Sequence, residues 1–579
     1  MVGELLLLLA THLILTALPG VAVALCLASR GEQRVAVLLA AALAASGIAA
    51  MLGFWIYYGS HPAGQTFTYL LAFGSALATV WLLYDGGIGM GLLRRLSVPL
   101  ALWALGSAFL VFLGFVHGGT DAALGTSSNR FAFGLPSDNG IPLFFAEFFY
   151  LHGHHGVPPE FPGEWLASDR PPLQVGYVLS QRPFNFDGAE LSYQVLGVCL
   201  QQLWIVGLWA LLVAAGLGRL TKALVAIVVL LSPLALVNGF FVWPKLLPAA
   251  MLLAAAALLI TPLWGELRSK FWAGALVGAL FGVAMMGHGS SAFAIVPLVL
   301  IPAFRGLPSW RWIAVGLGVL IVVMAPWSAY QKWGDPPGDR LVKWQLGGVI
   351  EIDSRGSLQT IRESYEEAGV GGTIHNKAEN FATVSGGGMT IDALKNTYEW
   401  VEHGEIAQAA RELRAIFFFY LVPSLGLLLL GPLAMLVSIR RRRRGDPADW
   451  HFARDCLIAL AVGIVAWCLL LFGNGASRAG IHQGSFFLPI IGMCVGVAGL
   501  RAVVPRVGTW IVAVSAALML ALYAPALNPP EATSYSLGAI LVAAACLAGF
   551  CWVALRPESR DDAPGRAEPR PAAAIDSPV

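Results

Sequence analysis

The sequence predicts an all-α polytopic membrane protein with about 13–15 transmembrane helices and two long loop regions. Of its 579 residues, 57% are hydrophobic and only 12% are charged, about half the charged fraction of a soluble domain. Apolar stretches long enough to cross a bilayer recur from one end of the chain to the other. The charged residues concentrate between these stretches. A soluble globular fold is therefore excluded.

Hydropathy divides the chain into about fifteen apolar segments, each a candidate span. They lie at roughly 5–28, 34–58, 67–84, 97–116, 191–216, 222–242, 246–263, 271–287, 290–304, 312–328, 414–438, 455–473, 484–500, 507–526 and 535–555. This predicts three groups of spans, at 1–116, 191–328 and 414–555, separated by a first loop (117–190) and a second loop (329–413). The tail, 556–579, is rich in proline, alanine and charge, which predicts disorder.

Basic residues orient the spans, because short cytoplasmic loops carry an excess of Lys and Arg. The clearest cluster is Arg440–Arg444, and counting spans from it places the other basic connections on the same side. These contain Arg30 and Arg34, Arg94 and Arg95, Arg219 and Lys222, Arg268 and Lys270, Arg305 and Arg311, and Arg501 and Arg506. The N-terminus and both long loops are then predicted on the extracytoplasmic face of a multi-pass cell membrane protein, such as one of a bacterial plasma membrane.

The second loop combines turn signals with amphipathic helical patterns. Asp335-Pro336-Pro337-Gly338 opens it, and helical periodicity follows at 358–367 and 391–413. We expect a small helical cap over the outer mouth of the span bundle.

The first loop carries the polar pattern most suggestive of chemistry. Asp138 stands at the start of an apolar helical stretch too short to span, where it serves either as a helix N-cap or as a reactive carboxylate. Further on, Asp169 and Arg170 precede two prolines, which stiffen the backbone that carries the guanidinium. An arginine held in this way suits a phosphate group.

These motifs resemble those of GT-C class glycosyltransferases, in particular the glycosyltransferase family 39 branch of aminoarabinose transferases and protein O-mannosyltransferases. The matching elements are Ser137-Asp138-Asn139, Phe145-Ala146-Glu147, Gly163-Glu164-Trp165 and Arg170-Pro171-Pro172-Leu173-Gln174. The chain departs from the family pattern in Asn139, which stands where the family has a second acid, and in Arg170, which stands for a lysine. Four predicted spans precede the loop, where the family usually has one.

The resemblance implies an inverting transfer of a sugar from a polyprenyl-phosphate donor to a glycan, lipid or protein acceptor of the cell envelope. That chemistry requires a carboxylate to take the acceptor's proton and cations to stabilise the departing phosphate. Asp138 is the candidate base. Asp169 is the second candidate catalytic carboxylate, with an orienting role because adjacent Arg170 favours its ionised form. Asn139, Glu147 and Gln174 are candidate substrate-binding residues.

Further cations are predicted at the outer ends of spans. Lys245 follows Trp243 and Pro244 in a tight connection, and it is either a second phosphate ligand or a snorkelling lysine beside an aromatic belt. Arg478 lies in a Gly-rich outer turn and is the third candidate phosphate ligand. His288 and His482 lie in similar turns and are candidates for substrate contacts or for structural hydrogen bonds.

No cofactor is firmly predicted, and a divalent metal ion is the open alternative. His152, His154 and His155 follow Glu147, and these residue types bind metals, but their spacing lacks the i, i+4 pattern of a helical zinc site. No nucleotide-binding motif occurs, which favours a lipid-linked donor. The net charge of +2 gives no indication of a nucleic-acid partner.

Two other classes of function compete with a transferase. A flippase or transporter of lipid-linked saccharides predicts ionisable residues near the bilayer centre and repeated halves. A polysaccharide polymerase or ligase predicts dependence on outer-loop Arg and His rather than on Asp138. The substitution Asp138→Asn separates these classes, because only the transferase should lose its activity.

Overall fold

The computed structural model describes residues 1–161, 165–185, 189–352, 354–438, 445–473, 475, 482–525 and 534–556. Within these ranges the chain is helical and has no β-strand beyond one isolated bridge between Phe161 and Trp165. The all-α prediction is confirmed. The predicted disorder of the tail falls on residues outside the described ranges, apart from Arg556.

Ten helices in the described residues are long and apolar enough to cross a membrane. They are Val2–Ser29, Val35–Gly59, His61–Asp85, Met90–Gly114, Ala189–Ala214, Trp310–Gly334, Leu421–Ser438, Pro447–Leu470, Pro505–Tyr523 and Leu537–Leu555. Arg219–Leu230 and Pro233–Phe240 form an eleventh span if they are counted together, with a 52° bend between them. The helix Pro233–Phe240 begins with a proline, and the Ser232 hydroxyl caps it by accepting from the Ala235 N–H. The cap and the proline together explain the break.

Four shorter apolar helices complete the bundle: Leu247–Leu259, Phe271–Gly287, Ser291–Arg305 and Phe487–Val503. All fifteen apolar segments predicted from the sequence therefore coincide with helices, and the short ones account for the difference between ten or eleven long spans and the predicted 13–15. Every residue of Leu247–Leu259 is buried. This helix therefore lies at the centre of the bundle.

Contacts between connections that are distant in sequence identify two ends of the bundle. At one end, which we call the basic end, Arg34 pairs with Glu266 at 3.3 Å and Arg305 pairs with Asp455 at 2.6 Å. At the other, the loop end, the Ser536 N–H donates to Val116 O at 2.7 Å. Arg440–Arg444 lies outside the described residues. The side of the membrane that each end faces stays a prediction.

Small residues bring two helices into backbone contact near the basic end. A Cβ atom added to Gly278 of the helix Phe271–Gly287 would lie 2.1 Å from Gly316 O of the helix Trp310–Ala329. A Cβ atom at Gly274 would lie 2.3 Å from Trp312 O. This close approach is the small-residue packing that is common between membrane helices.

The helix Leu173–Gln181 follows the Arg170-Pro171-Pro172 motif and lies inside the bundle. Three of its polar side chains, those of Gln174, Tyr177 and Gln181, are hydrogen bonded to different neighbours, while the buried Ser180 hydroxyl has no partner among the described residues. Tyr177 Oη lies 2.9 Å from Ser46 Oγ, and Gln181 Nε2 donates to Thr16 Oγ1 at 2.9 Å. Gln174, in the first turn of the helix, instead bonds to Tyr193, Val242 and Gln201. The helix is thereby fixed, and with it the backbone on which Arg170 stands.

The second loop forms the helices Arg340–Gly347, Ser357–Val384, Gly387–Glu402 and Ile406–Phe417, which confirms its predicted helical character. Ser357–Val384 is interrupted at Gly369, whose φ of 60° is outside the helical range. Asn380 Nδ2 donates to Cys468 O at 3.0 Å and to Leu471 O at 2.9 Å, where the helix Pro447–Leu470 ends. The second loop is thus docked onto the span bundle at the loop end.

Candidate functional site

One small cavity at the loop end collects most of the site residues predicted from the sequence. Its volume is about 20 Å³, room for roughly one water molecule. Leu341 of the second loop contributes to its wall, so this loop helps to enclose the cavity. The predicted residues that line it are Asp138, Asp169, Arg170, Gln174, Lys245 and His288.

Asp138 faces a cation and does not cap a helix. Its Oδ2 lies 3.8 Å from Arg170 Nη2, and its side chain is 18% exposed. The helix Ile141–His152 begins after Gly140, and no side-chain hydrogen bond from the described residues caps that end. The N-cap interpretation of Asp138 is therefore wrong. A partly exposed carboxylate next to a buried cation is available to accept a proton from a bound hydroxyl group.

The Arg170 guanidinium lies over the Trp165 ring, with Cζ 4.0 Å from the ring centroid. Its Nε and Nη2 atoms are buried and have no hydrogen-bond partner among the described residues. Burial lowers the pKa of Arg170, and the carboxylates of Asp138 and Asp169 oppose that shift. Buried donors normally have partners. Arg170 therefore keeps hydrogen-bonding capacity for an anion that enters the cavity.

The ion pairs of the Asp169–Arg170 motif differ from the sequence prediction. Asp169 Oδ2 pairs with Arg340 Nη1 at 3.5 Å and accepts from the Leu166 N–H at 3.0 Å, while Arg170 pairs with Asp138. Burial raises the pKa of Asp169, and the Leu166 N–H and the Arg340 cation act against this. The ion-pair partner of Asp169 is Arg340 and not its chain neighbour, and the orienting role of Asp169 stays a prediction.

Arg340 is a site residue that sequence reasoning missed. Its Cζ lies 4.6 Å from the centroid of the same Trp165 ring that Arg170 contacts. In the sequence Arg340 stands in a polar stretch with many charges, so only its position two residues after Gly338 in a turn-rich segment distinguished it. Asp335, which lies five residues before Arg340 in the chain, accepts from the Ser168 N–H at 2.8 Å. These two contacts fasten the beginning of the second loop to the Asp169–Arg170 motif.

Lys245 is buried at the site, with 2% of its surface exposed. Its Nζ lies 2.6 Å from His288 Nε2 and 3.8 Å from the centroid of the Trp243 ring. Burial lowers the pKa of Lys245 well below its ordinary value, nearby Arg170 lowers it further, and Asp138 opposes both. A snorkelling lysine keeps its ammonium group in water, so that interpretation is wrong for Lys245.

Two histidines complete the surroundings of Lys245. His288 Nδ1 accepts from the Ser290 N–H at 3.1 Å and lies 2.8 Å from Ser290 Oγ, and this hydroxyl oxygen accepts from the Ser485 N–H at 3.1 Å. The His482 ring packs edge-on against Trp243 at 4.6 Å between centroids and against His288 at 5.4 Å. Burial lowers the pKa of both histidines, and Lys245 is the next largest cause. Both rings are therefore neutral near pH 7.

Gln174 and Asn139, predicted to bind substrate, are engaged within the protein. Gln174 Nε2 donates to Tyr193 Oη at 2.9 Å and to Val242 O at 3.0 Å, and its Oε1 accepts from Gln201 Nε2 at 2.9 Å. Asn139 Nδ2 donates to Ser127 Oγ and Leu124 O. The Asn139 carbonyl accepts from Tyr193 Oη at 2.7 Å. These residues position the cavity wall and leave little capacity for direct contacts with a substrate.

Backbone strain concentrates beside the cavity. In the part of the chain that the structure describes, three residues other than glycine have a positive φ: Val242 (51°), Ser485 (49°) and Phe486 (60°). Val242 is three residues before Lys245, and Ser485 bonds to the hydroxyl that supports His288. Positive φ is costly for a β-branched residue, and such strain persists mainly at functional sites. This observation marks the same place as the polar residues do.

The other predicted residues lie elsewhere or outside the described ranges. Glu147 pairs with Arg182 at 2.8 Å and does not line the cavity. His154 Nδ1 lies 3.1 Å from Tyr58 O. The described residues contain no group of three or more His, Cys, Asp or Glu side chains placed to hold a metal ion. Arg478, Gly163 and Glu164 fall outside the described ranges.

The chain matches no protein-family model, no curated protein and no solved structure in the comparisons made. The resemblance to GT-C glycosyltransferases therefore rests on the short motifs of the first loop and stays a prediction.

Proposed function

We propose that this protein is an integral membrane glycosyltransferase that transfers a sugar from a polyprenyl-phosphate donor to an acceptor hydroxyl at the loop end. The observation that carries the proposal is the cavity in which Asp138 pairs with Arg170 and the buried side chain of Lys245 forms part of the same wall. The motif resemblance, which implies the same chemistry for Asp138 and Arg170, supports it.

The charges of the cavity favour a phosphate ligand. Arg170 and Lys245 are basic groups in one enclosed space, and their burial together disfavours the charged form of Lys245 unless anions compensate the two charges. Asp138 compensates one charge at 3.8 Å, and Asp169 is already paired with Arg340. The cavity as it stands holds about one water molecule, so its wall must widen before a phosphodiester can supply a further negative charge and accept hydrogen bonds from Arg170 Nε and Nη2.

In the proposed reaction, Asp138 accepts the proton of the acceptor hydroxyl as its oxygen forms a bond to the anomeric carbon of the donor. The bond between that carbon and the phosphate oxygen breaks, and the electron pair leaves with polyprenyl phosphate. Arg170 and Lys245 stabilise the negative charge that develops on the leaving group. Attack opposite the leaving phosphate inverts the anomeric configuration.

The distribution of basic residues supports an extracytoplasmic active site, and we propose a bacterial plasma membrane as its location. The acceptor is then a glycan, lipid or protein of the cell envelope. The resemblance also includes relatives that use a divalent cation, and the effect of EDTA on turnover tests that alternative.

The experiment is transfer of labelled sugar from a panel of synthetic polyprenyl-phosphate sugars by the purified protein in nanodiscs. Asp138→Asn keeps the shape of the side chain and removes its basicity, so turnover should fall by about 100-fold or more while donor binding persists. Asp121→Asn is the matched control, because Asp121 is an exposed carboxylate of the same loop. Full activity of Asp138→Asn would refute the proposed base.

A second candidate, a polymerase or ligase of lipid-linked saccharides, is favoured by His288 and His482 beside Lys245. In that case His288→Asn should abolish the reaction and Asp138→Asn should have little effect. Binding of a lipid-linked saccharide without transfer or hydrolysis would instead favour a flippase or transporter.

A further inference from the structure

We call the small cavity lined by Asp138, Arg170 and Lys245 the polar cavity. A second cavity adjoins it on the other side of Trp243. Its volume is about 290 Å³, roughly twice that of an engineered protein cavity that binds benzene. It lies between the first loop, the bent helix pair and the segment that enters the span Leu421–Ser438. Its wall includes Pro136, Phe241, Trp243, Phe418, Phe419 and Tyr420. We call it the aromatic cavity.

The wall of the aromatic cavity favours an apolar ligand. The Trp243 and Phe419 rings are stacked with an interplanar angle of 25° and centroids 6.4 Å apart. Asn238 is the one amide side chain in this wall, and its Nδ2 already donates to Leu234 O at 2.9 Å and to Phe418 O at 3.1 Å. A sugar bound here would bury hydroxyl groups with few partners, which is costly. A hydrocarbon chain has no polar groups and would not incur this cost.

Trp243 connects the two cavities. Its ring contacts Lys245 Nζ, which faces the polar cavity, and the same residue forms part of the aromatic wall. Pro136 of the aromatic wall is two residues before Asp138. A phosphate at Lys245 and Arg170 would therefore place its ester oxygen next to an apolar space that opens at the ends of the spans.

We infer that the aromatic cavity binds the isoprenoid chain of the donor where that chain joins the phosphate. The inference rests on the proposed donor class, because it assigns the apolar half of the same ligand. It predicts that affinity depends on the chain as well as on the phosphate, and that the two contributions can be removed separately.

The experiment uses Ala415→Trp in the full-length protein in nanodiscs. Ala415 lines the aromatic cavity and is exposed, so a larger side chain can fill the cavity without disturbing the core. Ala407→Trp is the matched control, since Ala407 is an exposed alanine of the same helix, Ile406–Phe417, and does not line the cavity. The probes are a long-chain polyprenyl phosphate and isopentenyl phosphate, whose affinities are measured separately.

Ala415→Trp should weaken binding of the long-chain phosphate about tenfold, the loss expected when roughly two methylene groups leave an apolar site. Affinity for isopentenyl phosphate should stay unchanged, and Ala407→Trp should change neither affinity. Unchanged affinity of Ala415→Trp for the long chain, or an equal loss for both probes, would overturn the inference. So would a raised KM for the acceptor with donor affinity intact.

The two proposals fail in different ways. Chain-dependent binding that Ala415→Trp weakens about tenfold, without any sugar transfer by the unsubstituted protein, would refute the glycosyltransferase and keep the aromatic cavity as a lipid site. Sugar transfer that Ala415→Trp and chain length leave unchanged would refute only the assignment of the aromatic cavity.

Discussion

Replacing Gln174 by leucine should destabilise the protein and also displace Lys245. Gln174 is 1% exposed and joins three elements through its amide. It holds the carbonyl of the strained residue Val242, three residues before Lys245. It also bonds to Gln201, whose Oε1 accepts from the N–H groups of Leu246 and Leu247, directly after Lys245. The segment that presents Lys245 is thus held on both sides through Gln174.

The size of the effect follows from the three hydrogen bonds that Gln174→Leu removes. Side-chain hydrogen bonds in membrane proteins contribute about 0.6 kcal/mol each on average, which gives about 2 kcal/mol for three bonds. Leucine is one bond shorter than glutamine but of similar bulk, so little cavity volume is created. Tyr193 keeps its bond to the Asn139 carbonyl at 2.7 Å, which limits the loss.

The assay compares Gln174→Leu with Gln181→Leu from the same buried helix. Gln181 loses its bonds to Thr16 and His12 but does not touch the Lys245 segment. Both variants should melt at a lower temperature in detergent. Only Gln174→Leu should also lose the stabilisation that added polyprenyl phosphate gives to the unsubstituted protein.

Two results would refute this reasoning. Melting of Gln174→Leu at the unsubstituted protein's temperature would mean that the hydrogen-bond network carries no stability. Equal loss of phosphate-induced stabilisation in both variants would mean that Gln174 acts through general destabilisation and not through Lys245.

Three further predictions concern groups outside this network. Glu147→Gln should leave activity and melting temperature almost unchanged, because its ion pair with Arg182 is about 30% exposed on both sides and such pairs contribute at most about 1 kcal/mol. Below about pH 6.5, the ordinary pKa of His288, stability should fall as the unfolded chain binds a proton that the folded chain excludes. The slope should be at most about 1.4 kcal/mol per pH unit for this group, and His288→Gln should flatten it in melting curves taken from about pH 7 to 5. Asn380→Leu should speed amide hydrogen exchange in the helix Ser357–Val384, because its two bonds to the end of the helix Pro447–Leu470 are lost; exchange at the unsubstituted rate would contradict this.

The architecture was predictable because hydropathy acts locally. Each apolar segment must bury its own backbone polar groups in a helix, so the fifteen segments and the alternation of their ends could be read without tertiary information. The bend at Ser232 and Pro233 also has a local cause. The number of long spans was harder to predict from the sequence, because a short buried helix such as Leu247–Leu259 is as apolar as a helix that crosses the membrane.

Predicting the site succeeded where a residue type stands out against its surroundings and failed where partners are distant in sequence. Lys245 and Arg170 are cations in apolar or proline-stiffened segments, and both line the cavity. The pairing of Asp169 with Arg340 joins residues far apart in the chain, and nothing near Arg340 indicates it. Glu147 matched a motif by spacing, but its helix directs it to Arg182 instead.

The burial of the helix Leu173–Gln181 constrains the order in which the protein assembles. Nine residues span about 14 Å, half of the roughly 30 Å hydrocarbon core, so this helix cannot insert as an independent span. It can dock only when the helices that supply Thr16 and Ser46 are already in place. Arg170 therefore reaches its position only after the helices Val2–Ser29 and Val35–Gly59 are in place. Because Lys245 and His288 line the same cavity, binding of an anion there would report that the first loop, these two helices and the segments of Lys245 and His288 have come together, which gives a folding assay that needs no knowledge of the acceptor.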